Sequence, residues 1–214
     1  MRFYSFYRSS AAYRCRIAFN LKGIKPDYVP VHLRRDEQRS ESYLAVNPQG
    51  FVPALEAGGH MLNQSLAIIE WLDETHPEPP LLPDDPFDRA YVRALALSIA
   101  CDIHPLQNLR VLKHLKSEFG QDQEGLDRWC RKWIETGLAA FEESVARSGK
   151  SGAFCFGDRP TLADICLFPQ IFSAGRFGGK IDGLVHLQRI KASCEAHIAF
   201  IDADPTRQSD AEAQ

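Results

Sequence analysis

The sequence lacks any long apolar run. No stretch approaches the ~18 apolar residues of a membrane span, and the opening MRFYSFYRSS carries no apolar export signal. It also lacks a closely spaced cysteine pair. The six cysteines at 15, 101, 130, 155, 166 and 194 form no CxxC, which excludes zinc-ribbon and dithiol-redox chemistry on spacing. Cys15, Cys130 and Cys166 fall within helical patterns and read as small buried residues. A strong charge imbalance is missing too. Lys and Arg number 25 against 28 Asp and Glu, a net charge of −3, so the whole chain carries no nucleic-acid footprint. Internal repeats and low-complexity segments are absent, and no metal site is expected. What remains is an ordinary globular composition, 44% hydrophobic and 10% aromatic over 214 residues, enough for two compact domains and expected to reside in the cytoplasm.

The first 80 residues alternate strand and helix signals. Phe3 to Phe6 form a short aromatic strand. Ile17, Ala18 and Leu21 share one face of a helix over residues 14–22, which Gly23 stops. Val29, Val31 and Leu33 alternate as a half-buried strand does. NPQGFVPALE is a turn leading into a strand broken by Pro53, His60 to Leu62 follow the Gly58-Gly59 turn, and Ser65 opens a helix through Leu72. HPEPPLLPDDP, with five prolines in residues 76–86, is a stiff linker. Beyond it the pattern is helical. Leu126 to Phe141 carry a broad apolar stripe that includes Trp129 and Trp133, read as core packing, and DRPTLADICLF opens a further helix with Thr161 and Asp164 as its capping box. The tail after Pro205 is polar and expected to fray. The boundaries that follow are an α/β domain over 1–80, a linker over 81–88 and an all-α domain over 89–214.

Local chemistry narrows the candidates. Ser9 and Ser10 stand just before the first helix, where hydroxyls and free amide groups serve either as a cap or as a cradle for an anion. Gln64 and Ser65 occupy a second helix start with the same two options. His104 and Asn108 are four apart and are expected to share a helix face, kinked by Pro105. Arg14 and Arg16 read as structural, ion-paired within the first helix.

The segment RSSAAYRCRIAFNLKGI, residues 8–24, resembles the zeta-class signature of the glutathione transferase superfamily, written roughly Ser-Ser-Cys-x-Trp-Arg-x-Arg-Ile-Ala-Leu. NPQGFVPAL, QSLAIIEWLDETHPEPPLLP, CDIHPLQNLRVLKHL and GDRPTLADICLFPQI agree with that class, so the resemblance covers essentially the whole chain. It implies an α/β N-terminal thioredoxin-like domain plus an all-α C-terminal domain, glutathione as cofactor, and a homodimer without nucleic-acid or membrane partners. The implied activity is cis–trans isomerisation of a small dicarboxylate-like substrate such as maleylacetoacetate. A thiolate adds to the double bond, the resulting enolate rotates about a single bond, and the thiolate leaves.

By the same resemblance Ser9 stabilises the thiolate with Ser10 assisting. Val52, followed by a cis Pro53, meets the cysteinyl unit of glutathione, and Gln64 with Ser65 holds its γ-glutamyl group. Gln38 reaches the glycyl end, unless it is a solvated loop glutamine, and His104 and Asn108 lean over the site. Arg8, Arg110 and Arg176 are the candidates for the substrate carboxylates, since a planar guanidinium matches a carboxylate. One departure stands out. The signature cysteine is Ala11 here, so any sulfur chemistry at that point comes from glutathione. Maleylpyruvate isomerisation, a transferase acting on small α-halo acids and a non-catalytic binding protein are the alternatives.

Overall fold

The computed structural model describes residues 1–212 and divides the chain into two compact units, Met1–Pro80 with Ala196–Gln214, and Leu81–Glu195. The first unit holds a four-stranded sheet in the order β2-β1-β3-β4, formed by β1 (Arg2–Ser5), β2 (Asp27–Pro30), β3 (Ala54–Ala57) and β4 (His60–Asn63). β1 runs parallel to β2 and antiparallel to β3, and β3 runs antiparallel to β4. Its helices are α1 (Ser10–Leu21), the short α2 (Glu41–Leu44) and α3 (Ser65–Thr75).

Alternation along β1 assigns its two faces. Phe3 meets Phe19 of α1 edge-on at 5.0 Å, whereas Tyr4 meets Tyr43 of α2 at 6.0 Å. α1 packs against α3. Lys22, just past the end of α1, reaches Asp73 and the Pro79 carbonyl, both at 2.6 Å. β2 is shorter than its apolar alternation suggests. Val31 donates its N–H to Ser5 O at 2.7 Å, the last bond β1 can offer, and Leu33 then enters a 3₁₀ turn, Leu33–Arg35.

The second unit carries α4 (Pro86–Leu97), α5 (Leu109–Phe119), α6 (Gln123–Ser148), α7 (Leu162–Arg176) and most of α8 (Val185–Ala196). Helix begins at Pro86, inside the expected linker, because Asp85 caps the N–H groups of Phe87 and Asp88 and proline suits a first helical position. Leu81 and Leu82 are buried, so the proline-rich stretch is packed rather than free. In α6, Leu126, Cys130, Ile134, Leu138, Phe141 and Val145 form the buried stripe. The two tryptophans lie at its margin, half-buried, with Trp129 donating to Leu106 O at 2.7 Å. α7 starts as its sequence suggests: the Asp164 carboxylate accepts from Thr161 N, Thr161 Oγ1 and Cys155 N at 2.8, 2.7 and 2.7 Å.

The tail corrects the expected boundary at 89–214. From Ala196, and so including α9 (Ile198–Ile201), the chain belongs to the sheet unit, and residues 203–212 are tied to it rather than frayed. Ala203 and Pro205 are buried, and the Asp210 carboxylate accepts from Tyr7 N at 2.9 Å.

Candidate active site

Sheet topology gathers the sequence candidates of the first unit at one edge. β1 leaves the sheet after Ser5 and leads to Arg8, Ser9 and Ser10. Tyr4 pairs with Ala54, so the antiparallel β3 begins at that same edge, directly after Val52 and Pro53. Ala54 also pairs with Asn63, so β4 ends there and delivers Gln64 and Ser65. Parallel pairing of Ser5 with Pro30 brings the connection that carries Gln38 from the same side.

Ser9 is the N-cap of α1, its Oγ accepting from Ala12 N at 3.2 Å, and it is half-buried, as are Arg8 and Ser10. The Val52-Pro53 bond is cis, and among the described residues the N–H and C=O of Val52 take no hydrogen-bond partner. Gln64 holds φ 72°, a left-handed conformation that a residue with a side chain adopts at a cost of roughly 1–3 kcal/mol and that concentrates at functional sites. Its Nε2 donates to Gln49 Oε1 at 2.9 Å. Ser65 opens α3 and is buried. Gln38 is buried rather than solvated: Nε2 donates to Asp36 Oδ1 at 3.1 Å, and Oε1 is buried without a partner.

Arg14 supplies a feature the sequence reading missed. It is 2% exposed and donates Nη1 to Ser65 Oγ at 3.3 Å, while Nε and Nη2 are buried without partners. The ion pairing expected for Arg14 and Arg16 within α1 does not occur, because that helix contains no acidic residue. Arg16 bonds instead to two backbone carbonyls, Tyr7 O and Ala203 O, both at 3.0 Å, and burial lowers its pKa. A guanidinium stays protonated under such conditions. The start of α3 therefore combines free helix N–H groups with a buried positive charge, a setting for an anion.

Thiols of the protein cannot serve as nucleophiles at this edge. Ala11 lies in the first turn of α1, and Cys15, one turn further, is buried with Sγ 3.7 Å from Ser65 O. Burial pushes the Cys130 thiol up to about 12 and the Cys155 thiol well above its usual value. Cys101 alone among the six cysteines is exposed. Among the described residues no cluster of His, Cys, Asp and Glu could hold a metal ion. A surface depression of about 540 Å³, lined by Met1, His60, Met61, Trp71 and His76 among others, opens at the opposite end of the sheet, beside the β3–β4 hairpin.

The helical unit presents its candidates on a different framework from the expected one. His104 lies in a 3₁₀ turn, His104–Gln107, that follows a π-helical segment, Ser98–Ile103. Asn108 is extended and caps α5, its Oδ1 accepting from Arg110 N at 3.1 Å. The two therefore do not share an α-helical face; Pro105 ends one helix rather than kinking it. Arg110, in the first turn of α5, and Arg176, the last residue of α7, are both exposed, and the Arg176 guanidinium lies 5.5 Å from the Phe177 ring centroid. A buried amide network fixes the His104–Asn108 segment to α7: Gln107 Nε2 donates to Gln170 Oε1 at 2.9 Å, and Ser173 Oγ to Gln107 Oε1 at 2.6 Å. A lone glutamine within the apolar run of α7 was the signal available for it.

Comparison with known proteins accords with this arrangement. Residues 3–80 match the N-terminal domain model of glutathione S-transferases, and residues 123–181 match the C-terminal domain model. A maleylacetoacetate isomerase of Pseudomonas aeruginosa PAO1 is 46% identical over 213 residues, covering 98% of each chain. A solved holo maleylpyruvate isomerase, described as a bacterial glutathione S-transferase of zeta class, superposes with TM-score 0.97 at 44% identity, covering 99% of this chain and all of the other. A maleylacetoacetate isomerase from Methylobacterium extorquens AM1, solved with malonate and glutathione bound, gives TM-score 0.96 at 40% identity over the full length of both chains. With its thioredoxin-like sheet unit, its helical unit and this similarity along nearly its whole length, the chain belongs to the zeta class of the glutathione S-transferase family.

Proposed function

We propose that the protein is a glutathione-dependent cis–trans isomerase acting on maleylacetoacetate. The observation that carries this reading is a sheet edge that gathers the unbonded Val52 backbone, the orphaned Gln38 Oε1 and the buried Arg14 guanidinium, with no accessible thiol of the protein beside them. Glutathione fits what that edge leaves unsatisfied. The unbonded backbone of Val52 suits the cysteinyl peptide unit, the orphaned Gln38 Oε1 suits an amide N–H, and the start of α3 beside Arg14 suits the γ-glutamyl carboxylate. When bound, glutathione supplies the thiolate nucleophile that the protein lacks.

The chain's own residues then have distinct tasks. Ser9 and the first N–H groups of α1 would stabilise a bound thiolate, lowering the pH at which the thiol ionises from its ordinary value of about 8.5. Val52, Gln64 and Ser65 would hold the glutathione peptide, and Gln38 would hold its glycyl end. His104 and Asn108 are assigned as further glutathione-binding residues. Arg8, Arg110 and Arg176 are assigned to the substrate carboxylates, a role supported by the malonate bound in the Methylobacterium relative. The enzyme is expected to act as a cytoplasmic homodimer; among the described residues no helix is long and apolar enough to cross a membrane.

Maleylpyruvate is the second candidate substrate, favoured by the TM-score of 0.97 to the isomerase named for it. Ser9→Ala tests the mechanism common to both. Loss of one donor in a preorganised anion cradle typically costs about 10²–10³ in turnover. We expect a fall of that size, with the thiolate absorbance of bound glutathione appearing only at higher pH. Unchanged turnover and thiolate absorbance would remove Ser9 from the mechanism.

A further inference from the structure

The loop that presents Ser9 has no strand to hold it. Pairing of β1 ends at Ser5, and α1 begins at Ser10. Within the loop, Ser9 N donates to Phe6 O at 2.9 Å. The Tyr7 peptide between them is held by side chains from two directions. Its N–H donates to Asp210 Oδ2 at 2.9 Å, and its C=O accepts from Arg16 Nη2 at 3.0 Å. Arg16 also donates Nε to Ala203 O at 3.0 Å, so both ties lead to the C-terminal tail.

The tail is built to deliver that carboxylate. Asp204 caps a 3₁₀ turn, Pro205–Arg207, accepting from Thr206 N at 2.8 Å. Gln208 folds back with Nε2 on the carbonyls of Asp202 and Asp204 at 3.1 and 2.8 Å. Asp210 is then fixed through its second oxygen, which accepts from Tyr28 OH at 3.1 Å. Ala211 packs against the apolar cluster that contains Phe6, Tyr7 and Val52, two segments of the candidate site. Glu212 closes the tail with His32 Nε2 at 2.7 Å.

We propose that the C-terminal tail is part of the thiol site, with Asp210, acting together with Arg16, as a positioning residue that fixes the Tyr7 peptide and thereby the direction in which Arg8 and Ser9 leave the sheet. The inference rests on the glutathione reading above. A carboxylate accepting from a backbone N–H is among the stronger hydrogen bonds available, and it replaces here the ladder bond that a neighbouring strand would supply. Displacing a reacting group by about 1 Å costs on the order of 10²-fold in rate, so a tie two residues from Ser9 bears directly on turnover.

The test uses the full chain, Asp210→Ala, Asp210→Asn and a chain ending at Gln208. Three quantities are compared well below each melting temperature: kcat against KM for glutathione, the pH at which bound glutathione becomes thiolate, and amide exchange at Tyr7 to Ser10. Asp210→Ala and the shortened chain are expected to lower kcat about 10-fold or more and to speed Tyr7 exchange by a similar factor, with KM for glutathione changed less than about 3-fold. Their bound thiol should ionise at higher pH. Asp210→Asn keeps an acceptor for the Tyr7 N–H and should recover most of the loss. If Asp210→Ala does not fold, Tyr28→Phe, which frees one carboxylate oxygen without touching Tyr7, should move the same quantities the same way by about 2-fold. Wild-type kcat, thiol ionisation and Tyr7 exchange in the variants, whatever their melting temperatures, would overturn the inference, as would a loss that Asp210→Asn shares in full. Wild-type protein that neither binds nor ionises glutathione would instead refute the proposed function.

Discussion

At Ser9 the hydroxyl is seen in one role, with Oγ accepting from Ala12 N to close the end of α1, and the proposed function gives its proton a second, toward a thiolate. The cap was legible in the sequence, because a serine before an apolar helical pattern commonly serves as one; the proposed second role rests on the surrounding signature. Arg14 was harder to read. Nothing in residues 8–24 reveals that its side chain crosses to Ser65, since that contact joins positions 51 apart in sequence. The buried placement of Gln38 was equally hidden, because loop glutamines are usually solvated. Arg176 tests the substrate assignment. A hydrogen bond to a charged group contributes about 1.5–3 kcal/mol, so Arg176→Ala should reduce kcat/KM for substrate by roughly 10- to 100-fold. Steady-state kinetics should show KM for glutathione within about 2-fold of wild type; equal losses for both would end the assignment. Asp164 is a stability residue. Burial pushes its carboxyl up, while the donors from Cys155 and Thr161 pull it back. Asp164→Ala leaves those donors unsatisfied at about 1–3 kcal/mol each, so denaturant unfolding should show a loss of about 3 kcal/mol or more.

Among elements, those with a strong period and a clear terminator were the readable ones. α1 ends before Gly23 at φ 65°, α3 opens at Ser65, and α7 starts behind its capping box. The failures have local causes. β2 stops at Pro30 because its partner strand ends, a tertiary fact that the alternation Val29, Val31, Leu33 cannot encode. The segment around His104 reads as α-helix by spacing, but π and 3₁₀ turns intervene. Gly137 shows how α6 accommodates that irregular segment. A Cβ there would lie 2.3 Å from Ile103 Cδ1 and 2.4 Å from Cγ1, so this mid-helix glycine admits a buried isoleucine from the π-helical stretch. Gly137→Ala improves helix propensity by about 1 kcal/mol in isolation. Overpacking typically costs about 1–3 kcal/mol and should win. Thermal unfolding is expected to show net destabilisation, whereas a rise in Tm would mean that Ile103 repacks freely.

For the whole molecule, the division near Pro80 was visible as a change of grammar from alternating strands and helices to helices alone, and the family models fall on either side of it. The return of residues 196–212 to the sheet unit was not visible. The tail's polar composition suggests fraying, and the partners that order it, Tyr7, Arg16 and Tyr28, lie near the other end of the sequence. The candidate site was legible as three separate motifs. Residues 8–10, 52–53 and 64–65 were identified individually, and the strand register explains why they meet. Ala11 remains the feature that makes the chemistry testable, because it leaves glutathione as the source of sulfur. The most direct measurement is a spectroscopic isomerase assay on maleylacetoacetate and maleylpyruvate in parallel, with and without glutathione. Turnover of maleylacetoacetate that requires glutathione, at a kcat/KM no lower than for maleylpyruvate, is the predicted result. Turnover that persists without glutathione, or none on either substrate while glutathione is bound, would contradict it.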